Sequence, residues 1–267
     1  MVRAVAAAIF LSYCPILAFA QTPPASGAST QPAVPAAKKP APKSKAAAKP
    51  AAPADSGPCR IGVIPALGDL FMVKKIGFTV FGNEQAEVSV AWGIDDLIVA
   101  RVRAVAGAGV RRLPYAKGAF EPYYNPEIKL FRDPRDDLAK IVRQIAGSSN
   151  CERYLVVTRS KVTPYGTNQT LDGIGVVSRG MGRNSLFAYY QISVLDGQTF
   201  AIYKNPFATL ASAFASRPKH DRDVDAFPAT PNDAAGSAVL RDGTRALLTE
   251  NLDYELPAFL SQQAPAN

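Results

Sequence analysis

The chain has 267 residues, and its 30 lysines and arginines exceed its 22 aspartates and glutamates, which gives a net charge of +8. Arg3 and the five lysines of residues 21–58, less Asp55, account for five of these charges and leave only +3 for the rest of the chain. A nucleic-acid-binding domain would concentrate basic side chains on a folded face, so this distribution argues against a nucleic-acid partner.

The first 58 residues divide into two segments that are not expected to join the folded domain. Residues 1–20 carry one early positive charge, an apolar run and a final AFA cleavage site, which together predict a cleaved secretory signal peptide. An uncleaved anchor and lipidation at Cys14 are the alternatives. Residues 21–58 are almost entirely Ala, Pro, Lys, Ser and Thr and predict a disordered linker, whose lysines are expected to contact anionic surfaces only weakly. The predicted location is periplasmic or secreted.

The remaining residues, 59–262, are predicted to form one domain that begins with strands. The short apolar run from Ile61 to Pro65 predicts a buried strand. A hairpin is predicted between Phe71 and Trp92, with its turn at Gly82-Asn83, and we expect it to lie beside the first strand.

Apolar residues at helical spacing predict three helices farther along the domain. The first is expected to use Asp95 as its N-cap. The second has the strongest signals, because Asp133 is a good N-cap and Pro134 suits the first helical position. The third covers the segment AAGSAVLRDGTRALLTENLDYELPAFL, in which one glycine and one proline are weak points.

A disulfide is predicted between the two cysteines that remain after signal removal. One residue separates Cys59 from the first strand, and two residues separate Cys151 from a second buried strand, Tyr154 to Thr158. If these strands are parallel neighbours, about 4.8 Å apart, the two Cα atoms fall within the reach of a disulfide. An even number of cysteines in an oxidising compartment favours the same pairing.

The stretch LDGIGVVSRGMGRNS, Leu171 to Ser185, contains four glycines but is not predicted to bind phosphate. Its glycine spacing differs from that of a dinucleotide-binding loop, and a strand pattern, rather than a helix, follows it. We therefore predict two strands joined by a bend. Arg179 and Arg183 lie at that bend and are candidates for contact with an anionic partner.

A long strand is predicted from Ser185 to Leu195, and the turn at Asp196-Gly197 should return the chain antiparallel from Thr199 to Tyr203. The polar segment that follows contains His220, the only histidine, and predicts a surface loop. Its alternating aspartates lack the glycine and glutamate of a calcium-binding loop, so no metal ion is predicted. No motif predicts a cofactor.

Taken together, the elements predict an α/β (α+β) domain with a single mixed sheet and two to three helices packed on it. The segment RRLPYAKGAFEPYYNPE is the best candidate for a partner-binding surface, because tyrosine and arginine are typical interface anchors. Its candidate residues are Arg111, Arg112, Tyr115, Tyr123 and Tyr124. The alternative is a loop that packs on its own aromatic side chains.

No catalytic residue is predicted. The fragments LGDLF and VFGNEQ are similar to pieces of metallophosphoesterases and of Gly-Asp-Ser-Leu hydrolases. The first class needs several histidines, however, and the second needs a serine where Leu70 stands. The alternative to a non-catalytic protein is an envelope hydrolase that uses carboxylates such as Asp69, Glu84 and Asp95. That alternative requires the three acids to meet in one cleft.

The order of elements, with ERYLVVT as a strand, a hairpin containing VLDGQTF and a last helix, resembles small α/β modules of bacterial envelope accessory proteins. These are the penicillin-binding-protein activators, the curli-secretion lipoprotein and the N-terminal domain of the Tol translocation protein. The resemblance implies a non-catalytic binding or assembly module on a flexible tether. Its expected partner is an envelope protein or a cell-wall polymer.

Overall fold

The protein is described from a computed structural model. The described residues are 58–77, 82–126, 133–164, 167–180, 182–208 and 219–262. The predicted signal peptide, residues 1–20, and the predicted linker, apart from its last residue, lie outside the described residues. None of the helices in the described part of the chain combines the length and the hydropathy needed to cross a bilayer.

The elements follow one another in a mixed order of strands and helices, which confirms the α+β class. The strands are β1 Ile61–Ala66, β2 Leu70–Lys75, β3 Glu84–Ser89, β4 Val110–Arg112, β5 Arg153–Arg159, β6 Lys161–Val162, β7 Leu171–Asp172, β8 Ile174–Ser178, β9 Asn184–Ala188, β10 Tyr190–Asp196 and β11 Asp221–Val224. The helices are α1 Ile94–Ala106, α2 Glu121–Tyr124, α3 Pro134–Ala146, α4 Asp233–Gly236 and α5 Ala238–Leu260.

The strands form two larger sheets, not the single sheet predicted from the sequence. The first has the order β10-β5-β1-β4, in which β4, β1 and β5 are parallel and β10 is antiparallel to β5. The second has the order β11-β9-β8-β2-β3. A separate two-stranded ribbon joins β6 to β7.

The hairpin of β2 and β3 is present, but it does not lie beside β1. It belongs to the second sheet, where β2 pairs with β8, while both neighbours of β1 are parallel strands from later in the chain. The chain changes sheets in the short turn from Leu67 to Asp69. Local patterns specify each strand, but the choice between sheets depends on partners that are distant in sequence.

The helices pack on both faces of the first sheet. Helices α1 and α5 cover the face that carries Val63 and Leu155, in a core that also includes the inner face of the second sheet. Helix α3 covers the opposite face, which carries Ile64 and Val156. Burial of these apolar stripes is the main favourable contribution to folding.

The N-termini of the two 13-residue helices differ in how they are capped. In α3 the carboxylate of Asp133 accepts a hydrogen bond from the Arg135 amide at 2.8 Å, as the sequence predicts. In α1 the N-cap is Gly93, and it makes no side-chain cap. The prediction that Asp95 caps α1 is therefore wrong, because Asp95 lies inside the first turn and its side chain has other partners.

The predicted disulfide between Cys59 and Cys151 is confirmed. Strands β1 and β5 are parallel neighbours with Ile61 opposite Arg153, and this register places the Cα atoms of the two preceding cysteines 4.5 Å apart. The bond spans a sequence separation of 92 residues. It fits a protein of an oxidising compartment.

The predicted strand from Ser185 to Leu195 is two strands in different sheets. Strand β9 pairs with β8 in the second sheet, and β10 pairs with β5 in the first. The break is at Tyr189, whose amide donates to Gly173 O at 2.7 Å and whose carbonyl accepts from the Ser160 amide at 3.1 Å. The turn at Asp196-Gly197 follows, but the returning segment makes a single bridge and not a strand.

Two other predictions have opposite outcomes. The glycine-rich stretch is confirmed as strands joined by a bend, because β8 and β9 form an antiparallel hairpin. The polar segment predicted as a surface loop contains β11, which pairs with β9 at the edge of the second sheet. Residues 209–218 of that region lie outside the described residues.

Candidate functional site

A cleft of about 650 Å³ opens at the carboxyl ends of the parallel strands. Strand β1 lies between β4 and β5, and the chain reaches these neighbours through helices on opposite faces of the sheet. The loops that follow β1 and its neighbours therefore diverge. This is a topological switch point, where open α/β sheets characteristically bind their ligands.

Five segments form the walls of the cleft. They are the turn after β1, the segment between β3 and α1, the first turn of α1, the segment from the end of β4 through α2, and the end of β5. Their charged and aromatic members are Asp69, Asp95, Asp96, Arg112, Tyr115, Lys117, Phe120, Glu121, Tyr124 and Arg159. Small and apolar residues, among them Leu67, Val90 and Ile94, complete the lining.

Asp95 is the best anchored acid of the cleft. Its Oδ2 accepts a hydrogen bond from the Tyr115 hydroxyl at 3.0 Å, and its Oδ1 is 3.4 Å from the Gly68 amide. Burial raises the pKa of Asp95, while these two hydrogen bonds and the Arg112 guanidinium oppose the rise. Asp95 therefore keeps its proton to a higher pH than an exposed aspartate does.

The Tyr115 hydroxyl lies between two acceptors, Asp95 Oδ2 and the carbonyl oxygen of Pro65, each at 3.0 Å. Its single hydrogen can be donated to only one of them at a time. Burial and the neighbouring Asp95 raise the pKa of Tyr115 above its ordinary value, so this tyrosine stays neutral.

Four other charged groups of the cleft form two pairs of opposite charge, whereas Asp69 and Lys117 line the cleft without an ion pair among the described residues. Arg112 hydrogen-bonds Asp96 and lies 3.8 Å from Asp95 Oδ2. Arg159 lies 3.7 Å from Glu121 Oε1. Most of the charge within the cleft is therefore compensated by its own lining.

Tyr124 forms a fixed part of the wall. Its hydroxyl donates to Ala66 O at 2.5 Å and accepts from the Arg159 amide at 3.3 Å, so it joins the ends of β1 and β5. The Arg159 guanidinium lies 4.3 Å from the centre of the Tyr124 ring, in a cation–π contact. Burial raises the pKa of Tyr124 to about 12.

An aromatic cluster supports this wall from behind. Tyr115 meets Phe120 edge to face, with ring centres 5.6 Å apart, and Phe120 lies 6.1 Å from Tyr124. Phe120 is buried, whereas Tyr115 and Tyr124 are partly exposed. The three rings hold one another in place. Tyr115 and Tyr124 can therefore contact a ligand with little further loss of side-chain conformational entropy.

The binding residues predicted from the sequence separate into two groups. Arg112, Tyr115 and Tyr124 line the cleft. Arg111 does not, because it points to the opposite face of the sheet and donates to Ser149 O at 3.3 Å. Tyr123 also lies outside the lining and packs against the ring of Tyr124 at 5.8 Å.

Arg179 and Arg183 are not part of this cleft. They are exposed at the turn between β8 and β9, in the second sheet. The Arg179 amide donates to Arg183 O at 2.9 Å, so the two residues close the hairpin. The structure does not bring them together with the other predicted binding residues.

The three carboxylates considered for a hydrolase do not converge. Asp69 and Asp95 line the same cleft. Glu84 lies at the start of β3, where it pairs with Lys75 at 3.7 Å, and it is not part of the lining. A site of three acids is therefore not formed, although a site of two acids is.

Arg159, Asp96 and Glu121 belong to the cleft but were not identified from the sequence. Arg159 had a usable signal, because it is the first charged residue after the buried run of β5. Charged residues at the carboxyl end of a parallel strand commonly face a ligand site. Asp96 and Glu121 had none, since their position depends on their pairing with Arg112 and Arg159.

Within the described ranges, no group of three or more His, Cys, Asp or Glu side chains is placed to hold a metal ion. No Ser, Cys or His lines the described cleft. The arrangement offers fixed hydroxyls, aromatic faces, paired charges and two carboxylates. These groups suit recognition of a polar, partly apolar ligand.

Comparisons with known proteins give little further information. No protein family model matches the chain. No curated protein matches it. Among solved structures, a hypothetical protein from Chlamydia trachomatis is similar at 8% identity over 55% of this chain and 67% of that chain, with a TM-score of 0.23. A similarity at that level supports no conclusion about function.

Proposed function

We propose that this protein is a non-catalytic binding module of the cell envelope, and that the switch-point cleft is its recognition site. The observation that carries the proposal is the convergence of Arg112, Tyr115 and Tyr124 in one cavity at the carboxyl ends of the parallel strands. Rigid tyrosines and an arginine in a partly apolar cavity are typical of binding sites.

The internal bonding of the cleft favours binding over catalysis. The hydroxyls of Tyr115 and Tyr124 are both within hydrogen-bonding distance of carbonyl oxygens at the end of β1, so their positions are fixed before a ligand arrives. The two arginines are already paired with acids of the lining. A preformed wall of this kind reduces the entropy lost on association.

The location outside the cytoplasm is part of the proposal. The Cys59–Cys151 disulfide supports an oxidising compartment, and the sequence of residues 1–20 supports export. The resemblance to envelope accessory modules favours an envelope protein as the partner, with a cell-wall polymer as the other candidate. The lysines of residues 21–58 would add only weak, salt-sensitive attraction to anionic surfaces.

Capture of partners from intact envelopes, with one variant that fills the cleft, tests the proposal. Ala91 is exposed and lines the cleft, so Ala91→Trp should occupy the cavity without disturbing the core. Val239 is 58% exposed on α5 and does not line the cleft, so Val239→Trp is the matched control. We expect the wild type and the control to recover the same partner, and Ala91→Trp to recover at least about tenfold less. Equal recovery by all three proteins would exclude the cleft as the recognition site.

A hydrolase is the second candidate, because Asp69 and Asp95 share the cleft. Incubation of the pure protein with isolated cell wall, followed by analysis of released fragments, separates the two functions. Turnover by the wild type that is lost in both Asp69→Asn and Asp95→Asn would show a carboxylate-based enzyme and contradict the proposal of a binding module. The binding proposal expects no turnover in any of the proteins.

A further inference from the structure

We propose that the cleft binds a short peptide that carries an amine at one end and a carboxylate at the other, with the amine at Asp69 and the carboxylate at Lys117. The inference rests on the proposed function, since it takes the cleft to be the recognition site. It adds the chemical class of the ligand and its direction in the cleft. It follows from which charges of the lining already have partners.

Most charged groups of the cleft have little capacity left for a ligand. The guanidinium of Arg112 is held by Asp96 and lies 3.8 Å from Asp95 Oδ2. The guanidinium of Arg159 lies 3.7 Å from Glu121 Oε1. A charged ligand group at any of these five side chains would have to displace a partner that is already in place. These groups therefore do not determine the charge of the ligand.

Two charges of opposite sign remain. Asp69 and Lys117 line the cleft, and neither makes an ion pair with another described residue or with the other of the two. A purely cationic ligand would leave Lys117 uncompensated, and a purely anionic ligand would leave Asp69 uncompensated. A ligand with both charges complements the two residues at once, and charge complementarity of this kind selects among ligands and fixes their direction.

The two charges belong to different walls of the cleft. Asp69 lies in the turn after β1, and its carboxylate accepts a hydrogen bond from Ser89 Oγ at 3.0 Å. Lys117 lies in the turn before α2, which the Ala119 amide closes by donating to Ala116 O at 3.0 Å. The backbones that carry the two side chains are therefore fixed separately, and a ligand has to extend from one wall to the other.

The volume and the lining of the cleft favour a peptide among molecules with two charges. A cavity of about 650 Å³ lies within the range that holds drug-sized ligands, which corresponds to about two or three amino acid residues. Between the charged residues the lining is apolar and aromatic, with Leu67, Val90, Ile94 and the ring of Tyr115. A short peptide supplies two charged ends and an apolar side chain in one molecule.

Two sources of such a peptide fit the proposed function. One is a free short peptide within the envelope, and the other is a peptide carried by a cell-wall polymer. Of the two candidate partners named above, the inference therefore favours the polymer over an envelope protein. The recognised chemistry is the same for both sources, and the last experiment below separates them.

The test is an NMR titration of the exported protein with the dipeptide Ala-Phe, repeated with Ala-Ala-Phe. N-acetyl-Ala-Phe lacks the charged amine, Ala-Phe amide lacks the carboxylate, and the acetylated amide lacks both. We expect saturable shifts of residues in the cleft with the uncapped peptides. Each singly capped peptide should bind about tenfold more weakly, and the doubly capped peptide should bind most weakly.

Variants then assign each end of the peptide to its residue. Asp69→Asn should weaken the binding of Ala-Phe about tenfold but leave that of N-acetyl-Ala-Phe unchanged, because the acetylated peptide has no amine to lose. Lys117→Gln should likewise affect Ala-Phe but not Ala-Phe amide. Both side chains are exposed, so neither change removes a core contact. Asp225→Asn and Lys140→Gln, at exposed sites outside the cleft, are the controls and should change no affinity.

Equal binding of the four forms of Ala-Phe overturns the inference, and so does discrimination at one end only or the failure of both uncapped peptides to bind. If Ala91→Trp still reduces partner capture in that event, the proposed function stands without the inference. If capture does not depend on the cleft either, the proposed function fails as well.

Competition against bound Ala-Phe identifies the source of the natural ligand. Displacement by soluble fragments of isolated cell wall assigns it to the polymer, and displacement only by the low-mass soluble fraction of the envelope assigns it to free peptides. Failure of both fractions to displace the dipeptide overturns the inference.

Discussion

The two sheets of this protein differ in what they do with the ends of their strands. In the first sheet three parallel strands end at one edge, and the loops that follow them diverge to opposite faces and open the cleft. In the second sheet most neighbours are antiparallel, and β2–β3 and β8–β9 are hairpins of consecutive strands. The second sheet contributes its inner face to the main core.

This difference shows why similar residues have different roles in the two sheets. Arg112 and Arg159 lie at the carboxyl ends of parallel strands, so they face the cleft and each meets an acid from another segment. Arg179 and Arg183 lie at a hairpin turn, where the two residues close the strand ends and the side chains extend into solvent. The topology, rather than the residue type, determines which arginines belong to the site.

Removal of the disulfide is expected to have the largest effect on stability. The bond connects the starts of β1 and β5 across a loop of 92 residues, and the loop-entropy relation assigns about 4.6 kcal/mol to a loop of this size. The double variant Cys59→Ala/Cys151→Ala should lose that amount in urea-induced unfolding. Reduced wild type is the control and should unfold at nearly the same urea concentration. A loss below about 1 kcal/mol would contradict the role of the bond in holding the parallel strands together.

The second sheet has its own most sensitive position at Gly175. A Cβ atom there would lie 2.3 Å from Met72 O and 2.4 Å from Cζ of Phe187, so β2 or the Phe187 ring would have to move. We expect Gly175→Ala to destabilise the protein by about 3 kcal/mol. Gly236→Ala is the control, because its Cβ would meet nothing within 4 Å, and it should change stability by less than about 0.5 kcal/mol.

These two variants also sharpen the comparison between the sheets. Gly175 is not part of the cleft lining, so the folded fraction of the Gly175→Ala variant should capture the partner as well as the wild type does. If the folded fraction of Gly175→Ala captured less partner than the wild type, the second sheet would take part in recognition.

The sequence predicted those elements whose signals are local. The cap of α3 is set by Asp133 and Pro134, which act within one turn of helix. The apolar runs of β1 and β5 are buried on both faces, and the two cysteines precede them at equal spacing. The disulfide could therefore be predicted once these two strands were assumed to be neighbours.

The division into two sheets could not be predicted in the same way. The run from Ser185 to Leu195 contains no glycine or proline to mark a break, and the break at Tyr189 is made by Gly173 and Ser160. Within the cleft, Tyr115 and Tyr124 were found from composition. The pairs formed by Asp96 and by Arg159 were not, since they depend on which side of β1 each later strand joins.

The cleft has a smaller, pH-dependent influence on stability through Asp95. Because the pKa of Asp95 is raised in the folded state, the folded protein holds this proton at pH values where the unfolded chain, with a pKa of about 3.9, has lost it. Folding stability is therefore lost as the pH rises through this range. Asp95→Asn lacks the titrating group, so the stability of the variant relative to the wild type should increase with pH.

Urea midpoints measured between acidic and neutral pH check this expectation. Asp225→Asn serves as the control, because it removes one exposed carboxyl group outside the cleft. Parallel curves for Asp95→Asn and wild type would contradict a raised pKa.

The smallest effect is expected at the hairpin of the second sheet. Arg179 and Arg183 hold the turn through their backbone atoms, and Gln at both positions keeps those hydrogen bonds. The double variant Arg179→Gln/Arg183→Gln should change the free energy of unfolding by less than about 0.5 kcal/mol and leave partner capture intact. The double variant could instead capture less partner than the wild type at low salt, with high salt removing this difference. That result would mean that these arginines form a separate electrostatic contact. Recognition would then involve both sheets, because an exposed turn would contribute attraction while the carboxyl ends of the parallel strands supply the cleft.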